Sequence, residues 1–570
     1  MRSLNQPVAR RSGIKLWRSL VAVICLAASV IPSSAAETEK VDLQIVHRIK
    51  SEAFKNSKVM DHLFYLTDAN GPRLTGSPGW DSAAKWAMDT LKQYGLDQVH
   101  LEPWGPFGRG WSYSQFQIRM VTPVFAPLHG FPKAWCDGTA GTVRGAVIAT
   151  PLLHADEDAR EVDILTIRER IGEYKSQWKG KLRGKVVLFG QPRDFEEPME
   201  PASKRLDEKN LASMVEEPDL APAPKPSWVP DRLPRDAKKR AALFRYLPLE
   251  MSADYWDRRR KAYDALNEFF KQEGALALLE TDKRGAGGIV FSEAASSPGA
   301  TPPPPTIALE PEQFNRLWRL TERNIPAEVE LNLEVSSNPS AKTANLIAEI
   351  PGGARKGELV MLGAHLDSWH AGTGATDNGA GCAVVMEAAR ILEALHLKLD
   401  RTVRLALWSG EEQGLYGSRA YVKQHFGDPL TMALKPEHEQ LCAYFNLDNG
   451  SGKIRGINLQ DNDMARPIFD SWFAPFKDLG ADTITIRNTG GTDHLSFDAV
   501  GLPAFQFIQD PLDYGTRTHH SELDVYDHTQ PGDLMQASAI MAAFVYNAAN
   551  SPDKLPRKPL PEPLPPNQQQ

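Results

Sequence analysis

Cysteine is scarce in this chain. The sequence has four cysteines among 570 residues, and one of them, Cys25, lies in an apolar N-terminal run. The other three, Cys136, Cys382 and Cys442, are far apart and do not make a disulfide framework. The lack of cysteine pairs also argues against a structural zinc site. We expect the three cysteines to be buried as small apolar residues.

Long apolar runs and a strong charge of one sign are also missing. After the N-terminus, no segment approaches the roughly 18 apolar residues that a membrane-spanning helix needs. The formal net charge is -7 at pH 7, which is small for this length. The sequence therefore predicts a globular protein with no nucleic-acid partner and no stable membrane insertion.

Residues 1–36 have the pattern of a cleavable signal peptide. A basic region precedes the apolar run 19–32, and small residues at 34–36 form the cleavage site. The pair Arg10-Arg11 raises the alternative of a twin-arginine signal, but Gly13 stands where that signal has a bulky apolar residue. We expect the ordinary secretory route and a secreted or periplasmic mature protein.

The rest of the chain divides into segments of different composition. Residues 338–550 alternate strand-like and helix-like segments, which predicts an α/β fold with a mixed sheet sandwiched by helices. Residues 37–128 supply the N-terminal part of this catalytic domain. Short β-runs separated by glycine predict an inserted, mostly-β domain at 129–337, with an irregular excursion at 194–270. The proline-rich segment 551–570 is expected to be a flexible tail.

Six residues of metal-binding type lie at the ends of apolar, strand-like segments or in the turns that follow. They are His365, Asp377, Glu411, Glu412, Asp448 and His520. Histidine and carboxylate are the ligands that suit a hydrolytic Zn²⁺. In open α/β sheets, sites form where the carboxyl ends of the strands converge. Two histidines with three or four carboxylates are enough for two zinc ions that share one carboxylate, which predicts a two-metal hydrolase.

The positions of these residues suggest a role for each. Asp377 is the best candidate for the bridging ligand, because its small neighbours let the backbone approach the metals. His365 and Asp448 end strands that we expect to be neighbours, so they can share one ion with it. Glu412 and His520 can bind the other ion. One of the two adjacent glutamates ligates and the other can act as general base, since zinc lowers the pKa of bound water to about 7 and makes hydroxide available.

The surroundings of the histidines raise further expectations. Asp367 lies two residues beyond His365 and is expected to accept the second N–H of that imidazole and fix its tautomer. Three other histidines compete as functional candidates, namely His370, His494 and His519. His494 is expected to approach the site without binding metal.

Four motifs carry a resemblance to a known family. They are A-H-L-D-S-W from Ala364, A-T-D-N-G-A-G from Ala375, L-W-S-G-E-E-Q-G from Leu407 and H-H-S from His519. With them the chain resembles the zinc-dependent exopeptidases of the aminopeptidase Y type, and most closely the plasma glutamate carboxypeptidase (carboxypeptidase Q) branch, over 343–550. The insert is similar to a protease-associated domain. The resemblance implies a fold of the phosphorylase/zinc-exopeptidase type, two Zn²⁺ ions and a homodimer.

The resemblance also implies a role for each site residue. Glu411 matches the catalytic base and Asp377 the bridging ligand. The remaining metal ligands match His365, Glu412, Asp448 and His520. His520 is preferred to His519 because it directly precedes Ser521. His370 stands where the relative carries an acidic residue, which leaves the substrate preference open.

These observations predict a secreted di-zinc exopeptidase that removes a terminal residue from dipeptides or short peptides, through a metal-bound hydroxide and a glutamate base. The insert is expected to roof the cleft and exclude folded substrates. One alternative is a single-zinc glutaminyl cyclase-like acyltransferase, which usually lacks an inserted domain. Another is a catalytically inactive binding protein of the same fold, which loss of ligands would mark. The sequence is compatible with recognition of either peptide terminus.

Overall fold

The computed structural model describes residues 40–155, 157, 161–195, 199–216, 231–234, 236, 239–240, 243–244 and 247–564. The predicted signal peptide at 1–36 and part of the 194–270 excursion lie outside these described residues. Among the described helices, none has the length and apolarity to cross a membrane.

The first of two large sheets has eight strands and combines parallel with antiparallel pairs. In spatial order they are β1 (Asp97–Trp104), β10 (Thr343–Ile350), β12 (Arg401–Trp408), β11 (Arg355–His365), β15 (Leu441–Asn446), β18 (Ala504–Gln509), β16 (Ile454–Asn458) and β17 (Thr483–Thr485). The central strands β12, β11, β15 and β18 run parallel to one another. Their carboxyl ends therefore meet at one edge of the sheet.

Helices cover both faces of this sheet. They are α1 (Leu43–Lys55), α2 (Val59–Leu66), α3 (Pro78–Gln93), α9 (Ala380–Ala394), α10 (Tyr416–His425), α11 (Arg466–Phe473), α12 (His494–Asp498) and α13 (Pro531–Asn550). Successive strand residues point to opposite faces. Phe445 packs in the core that contains α9 and α13, whereas Tyr444 packs on the other face with α10 and α12. Both faces are buried, which is why the central strands are apolar throughout.

The second sheet also has eight strands. In spatial order they are β3 (Ala126–Pro127), β2 (Gly110–Thr122), β9 (Glu328–Asn338), β5 (Val143–Ala149), β6 (Lys185–Leu188), β7 (Ala277–Glu280), β8 (Thr306–Leu309) and β4 (Gly130–Pro132). Four described helices accompany it, namely α4 (Ile164–Trp178), α6 (Leu249–Asp264), α7 (Asn267–Glu273) and α8 (Pro311–Glu322). Another described helix, α5 (Glu208–Val215), lies instead beside β17 of the first sheet, where Arg487 donates to Ser213 O and Glu216 O. A small hairpin of β13 (Gly427–Asp428) and β14 (Ala433–Leu434) lies outside both sheets. The extra mixed sheet is consistent with the predicted insert.

The insert begins earlier than the sequence pattern indicates. The boundary was expected at residue 129, but β2 pairs with β9 from Gly110, opposite Asn338, to Thr122, opposite Glu328. This long antiparallel pairing places β2 in the second sheet. The polar and apolar residues of this strand alternate, but only its pairing with the distant β9 shows which sheet it joins. The chain therefore leaves the first sheet after Trp104 and returns to it at Thr343.

The proline-rich C-terminal segment was expected to be a flexible tail, and its described part instead packs on the protein. Leu555 is buried in the main core, and Leu564 donates its backbone N–H to Leu430 O. Arg557 donates to the carbonyl oxygen of Leu441, and Lys558 pairs with Asp498. Prolines favour an extended chain without internal hydrogen bonds. Such a segment can still be held by its side chains, which the composition does not reveal.

Candidate metal centre

The parallel strands of the first sheet bring the predicted ligands to one edge. His365 ends β11, Glu411 and Glu412 follow β12, and Asp448 follows β15. Asp377 lies in the turn before α9, and His520 lies in the loop after β18. Since β12, β11, β15 and β18 are adjacent, residues far apart in sequence meet in space. The expected pairing of the strands that end near His365 and Asp448 is present.

The Asp377 carboxylate lies between two histidines. Its Oδ1 is 3.2 Å from His365 Nε2, and its Oδ2 is 3.2 Å from His520 Nε2. His365 Nε2 also lies 3.3 Å from Asp448 Oδ1, and His520 Nε2 lies 3.1 Å from Glu412 Oε2. The geometry therefore forms two groups, each with one histidine and one carboxylate of its own, and Asp377 belongs to both.

The donor atoms of this cluster fit divalent cations. Four buried atoms have no hydrogen-bond partner among the described residues, namely His365 Nε2, Asp377 Oδ2, Glu412 Oε1 and Asp448 Oδ1. Buried polar atoms without partners are costly, and adjacent carboxylates repel one another. Burial raises the pKa of Glu412 to about 8, and the Asp377 charge acts in the same direction. Bound cations would satisfy these atoms and offset the repulsion.

The two adjacent histidines differ in their approach to Asp377. His519 Nε2 is 3.7 Å from Asp377 Oδ2, and its ring stacks on Tyr514 with centroids 4.6 Å apart. His520 is nearer to Asp377 and also contacts Glu412. The geometry thus favours His520 as the ligand, although His519 lies within reach of the same carboxylate.

Two other histidine candidates are held by backbone carbonyls. His370 Nε2 lies 2.6 Å from Pro132 O, and its ring packs against Trp111. His494 Nε2 lies 3.2 Å from Thr489 O. Burial lowers the pKa of each imidazole to about 4, so both are neutral near pH 7. The described structure groups neither of them with the candidate ligands.

The two adjacent glutamates occupy different places. Glu412 contacts His520, as a ligand of the second group would. Glu411 is buried and its Oε2 lies 4.0 Å from His365 Nε2. Burial raises the pKa of Glu411 well above its usual value, and the nearby Asp448 adds to this effect. Glu411 therefore lies at the edge of the first group. It is farther from His365 Nε2 than Asp377 and Asp448 are, at 3.2 and 3.3 Å.

Asp367 has a different contact from the expected one. His365 Nδ1 lies 2.9 Å from the backbone oxygen of Asp367, whereas its side-chain Oδ1 is 3.7 Å away. The tight turn after β11 brings the carbonyl closer than the carboxylate. The carboxylate instead accepts hydrogen bonds from Thr75 Oγ1 and from the backbone N–H of Glu411. Its side chain thus orders the glutamate turn, and its carbonyl orients the imidazole.

Three residues near the centre were missed by the sequence analysis. Asp524 accepts from Thr376 Oγ1 at 2.8 Å and from the backbone N–H of Asp377 at 3.2 Å, and so supports the bridging residue. Glu293, from the insert, lies 2.8 Å from His520 Nδ1. Arg73 is fully buried beside the turn that leads to Asp377. All three act across long sequence separations, and no local spacing distinguishes them.

Comparisons with known proteins agree with this fold. Residues 345–545 match the model of peptidase family M28. A carboxypeptidase Q from Bos taurus is 30% identical over 504 residues, which cover 87% of this chain and 86% of that protein.

Two solved structures share the fold. A peptidase M28 precursor from Shewanella amazonensis is 24% identical with a TM-score of 0.61, over 91% of this chain and 98% of that one. A zinc aminopeptidase from Bacillus subtilis is 18% identical with a TM-score of 0.51, over 87% and 96%. The predicted α/β fold and the family resemblance are confirmed. The chain belongs to peptidase family M28 and is a metallo-exopeptidase related to carboxypeptidase Q.

Proposed function

We propose that this protein is a di-zinc exopeptidase that hydrolyses the terminal peptide bond of dipeptides or short peptides. One observation carries the proposal, namely the Asp377 carboxylate between two histidines that each have a second carboxylate beside them. His365, Asp377 and Asp448 would hold one zinc ion. Asp377, Glu412 and His520 would hold the other.

Zinc bound at these residues supplies an activated water and polarises the scissile carbonyl. Glu411 stands beside the first group and is placed to take the proton of the attacking water and to deliver it to the leaving amine. The Asp367 carboxylate holds the backbone of Glu411 and so orients that base. Its backbone oxygen accepts the Nδ1–H of His365, which leaves Nε2 free to bind metal.

The alternatives are less well supported. A single-zinc cyclase-like enzyme has no need of a second histidine–carboxylate pair, yet His520 and Glu412 lie 3.1 Å apart on the other side of Asp377. An inactive binding protein would be free to lose ligands, yet all five ligand candidates and Glu411 are present and converge. We further propose secretory export and a homodimer, which N-terminal sequencing of exported protein and sedimentation would test.

The zinc content of the purified protein tests the two-metal assignment. We expect close to two zinc ions per chain by elemental analysis, because two complete ligand groups share Asp377. His520→Gln should lose one of them. The neighbouring His519→Gln is the matched control and should retain both. Fully active wild-type protein with one zinc ion or none would contradict the assignment.

A panel of peptides with free and blocked ends tests the exopeptidase activity. We expect free dipeptides and short peptides to lose a terminal residue, and folded proteins to stay intact. Peptides blocked at one end identify the terminus that is recognised. A block on that terminus should abolish cleavage, whereas a block on the other terminus should not. Efficient internal cleavage of a peptide blocked at both ends would show that the assignment is wrong.

A further inference from the structure

A segment of the insert runs alongside the loop that carries the metal-ligand candidate His520. Phe291 and Ser521 form an antiparallel bridge, and Ser292 donates its N–H to His520 O at 3.1 Å. Two further hydrogen bonds join Val290 and Glu522. The backbone N–H of Glu522 donates to Val290 O, and the N–H of Val290 donates to the Glu522 carboxylate. The insert therefore fixes the backbone of the His520 loop by strand-like pairing. The φ angle of His520 is +68°, a left-handed conformation that needs such support in a residue other than glycine.

The same segment also reaches the imidazole of His520. Glu293 Oε1 lies 2.8 Å from His520 Nδ1, on the side of the ring opposite to the Nε2 that faces Asp377 and Glu412. A carboxylate that accepts the Nδ1–H fixes the tautomer with a free Nε2 and makes that nitrogen more basic. In the equivalent place, His365 Nδ1 has a backbone carbonyl at hydrogen-bond distance, that of Asp367. His520 is therefore oriented by a carboxylate and His365 by a backbone carbonyl.

Arg284 holds Glu293 in this position. Its Nη2 donates to Glu293 Oε1 at 2.8 Å, and its guanidinium also binds the Asp282 carboxylate through Nε and Nη2. The guanidinium lies over the Phe291 ring, 4.3 Å from the centroid. The oxygen of Glu293 is thus shared between a fixed cation and the imidazole, and its geometry is determined from both sides.

We propose that Glu293 is a positioning residue for His520, so that the insert supplies part of the second metal site. This inference rests on the proposed function. It predicts an asymmetry between the two metals. An ion at His520 and Glu412 would depend on a residue of the insert, whereas an ion at His365 and Asp448 would be held by residues that follow strands of the first sheet.

Zinc titration of Glu293 variants in the full-length chain tests this. Zinc-free protein is titrated in competition with a chromogenic chelator, which yields an affinity for each ion. Glu293→Ala should weaken one ion by about 10–100-fold and leave the other unchanged. Glu293→Gln should recover part of the loss, because its amide oxygen can still accept the Nδ1–H. The Glu293 side chain is 42% exposed, so neither change should unfold the chain.

Two further variants and a spectrum locate the effect. Glu330→Gln is the matched control, since it removes another carboxylate of the insert, one that pairs with Arg119. Both zinc affinities should stay at the wild-type level. In a Glu412→Gln background, Glu293→Ala should not weaken the ion that remains. In cobalt-substituted protein, Glu293→Ala should alter the visible absorption bands while the far-ultraviolet circular dichroism stays the same.

The outcomes separate this inference from the proposed function. If wild-type protein binds two zinc ions and Glu293→Ala binds both with unchanged affinity, the inference is overturned. Equal weakening of both ions would also overturn it, because Glu293 would then act through the general fold. Wild-type protein with fewer than two zinc ions would overturn the proposed function, and this inference with it.

Discussion

Glu411→Gln is expected to lower kcat by about 10²–10⁴-fold while both zinc ions stay bound. The amide can occupy the buried place of the carboxyl beside His365 but cannot take a proton from the attacking water. Steady-state kinetics and elemental analysis on the same preparation check both parts. The effect should fall on kcat rather than on KM, because the proton transfer is made in the transition state.

Glu412→Gln is the comparison that separates the two glutamates. Glu412 lies 3.1 Å from His520 and is expected to be a ligand, so its variant should lose metal together with activity. If Glu411→Gln lost zinc and kept its rate, the two roles would have to be exchanged.

Arg73→Met is expected to destabilise the protein by about 3–5 kcal/mol, since each buried carbonyl left without a partner costs about 1–3 kcal/mol and relaxation recovers part of the sum. The guanidinium is fully buried and donates to four backbone carbonyls, those of Leu66, Leu366, Thr373 and Gly374. The last two precede the turn with Asp377. Chemical denaturation of the zinc-free protein measures the loss without a contribution from bound metal.

Arg144→Met is the matched control for that measurement. The Arg144 side chain is 53% exposed and pairs with Glu328 at the surface. An exposed ion pair contributes about 0–1 kcal/mol, so the control should change stability by no more than that. A similar small change for Arg73→Met would mean that the turn before Asp377 does not depend on the guanidinium.

The sequence was most informative where function and local structure coincide. His365, Glu411 and Asp448 each end or follow an apolar strand, so the pattern alone predicted that they would meet at the carboxyl edge of a parallel sheet. The helix expected after Asp377 is present as α9. These features depend on neighbouring residues, and short-range patterns can reveal them.

Contacts between residues far apart in the chain could not be predicted from such short-range patterns. Glu293 is 227 positions from His520, and its segment has no metal-ligand spacing. The strand β2 was missed because only its pairing with β9 identifies it. The packed C-terminal segment was missed for a similar reason. Its proline-rich composition is typical of flexible chains, and the contacts of Arg557 and Leu555 that hold it come from distant parts of the fold.

The register at the end of β1 has an evolutionary consequence. Trp104 pairs with Thr343, so the two ends of the insert leave the catalytic sheet from adjacent positions on neighbouring strands. A short turn could join β1 to β10 as an ordinary hairpin, and residues 105–342 amount to an expansion of that single turn. A single insertion or deletion between these two positions could therefore add or remove the whole domain. The strand order of the catalytic sheet would stay the same. After such a loss, the His520 loop would need a new partner in place of Glu293.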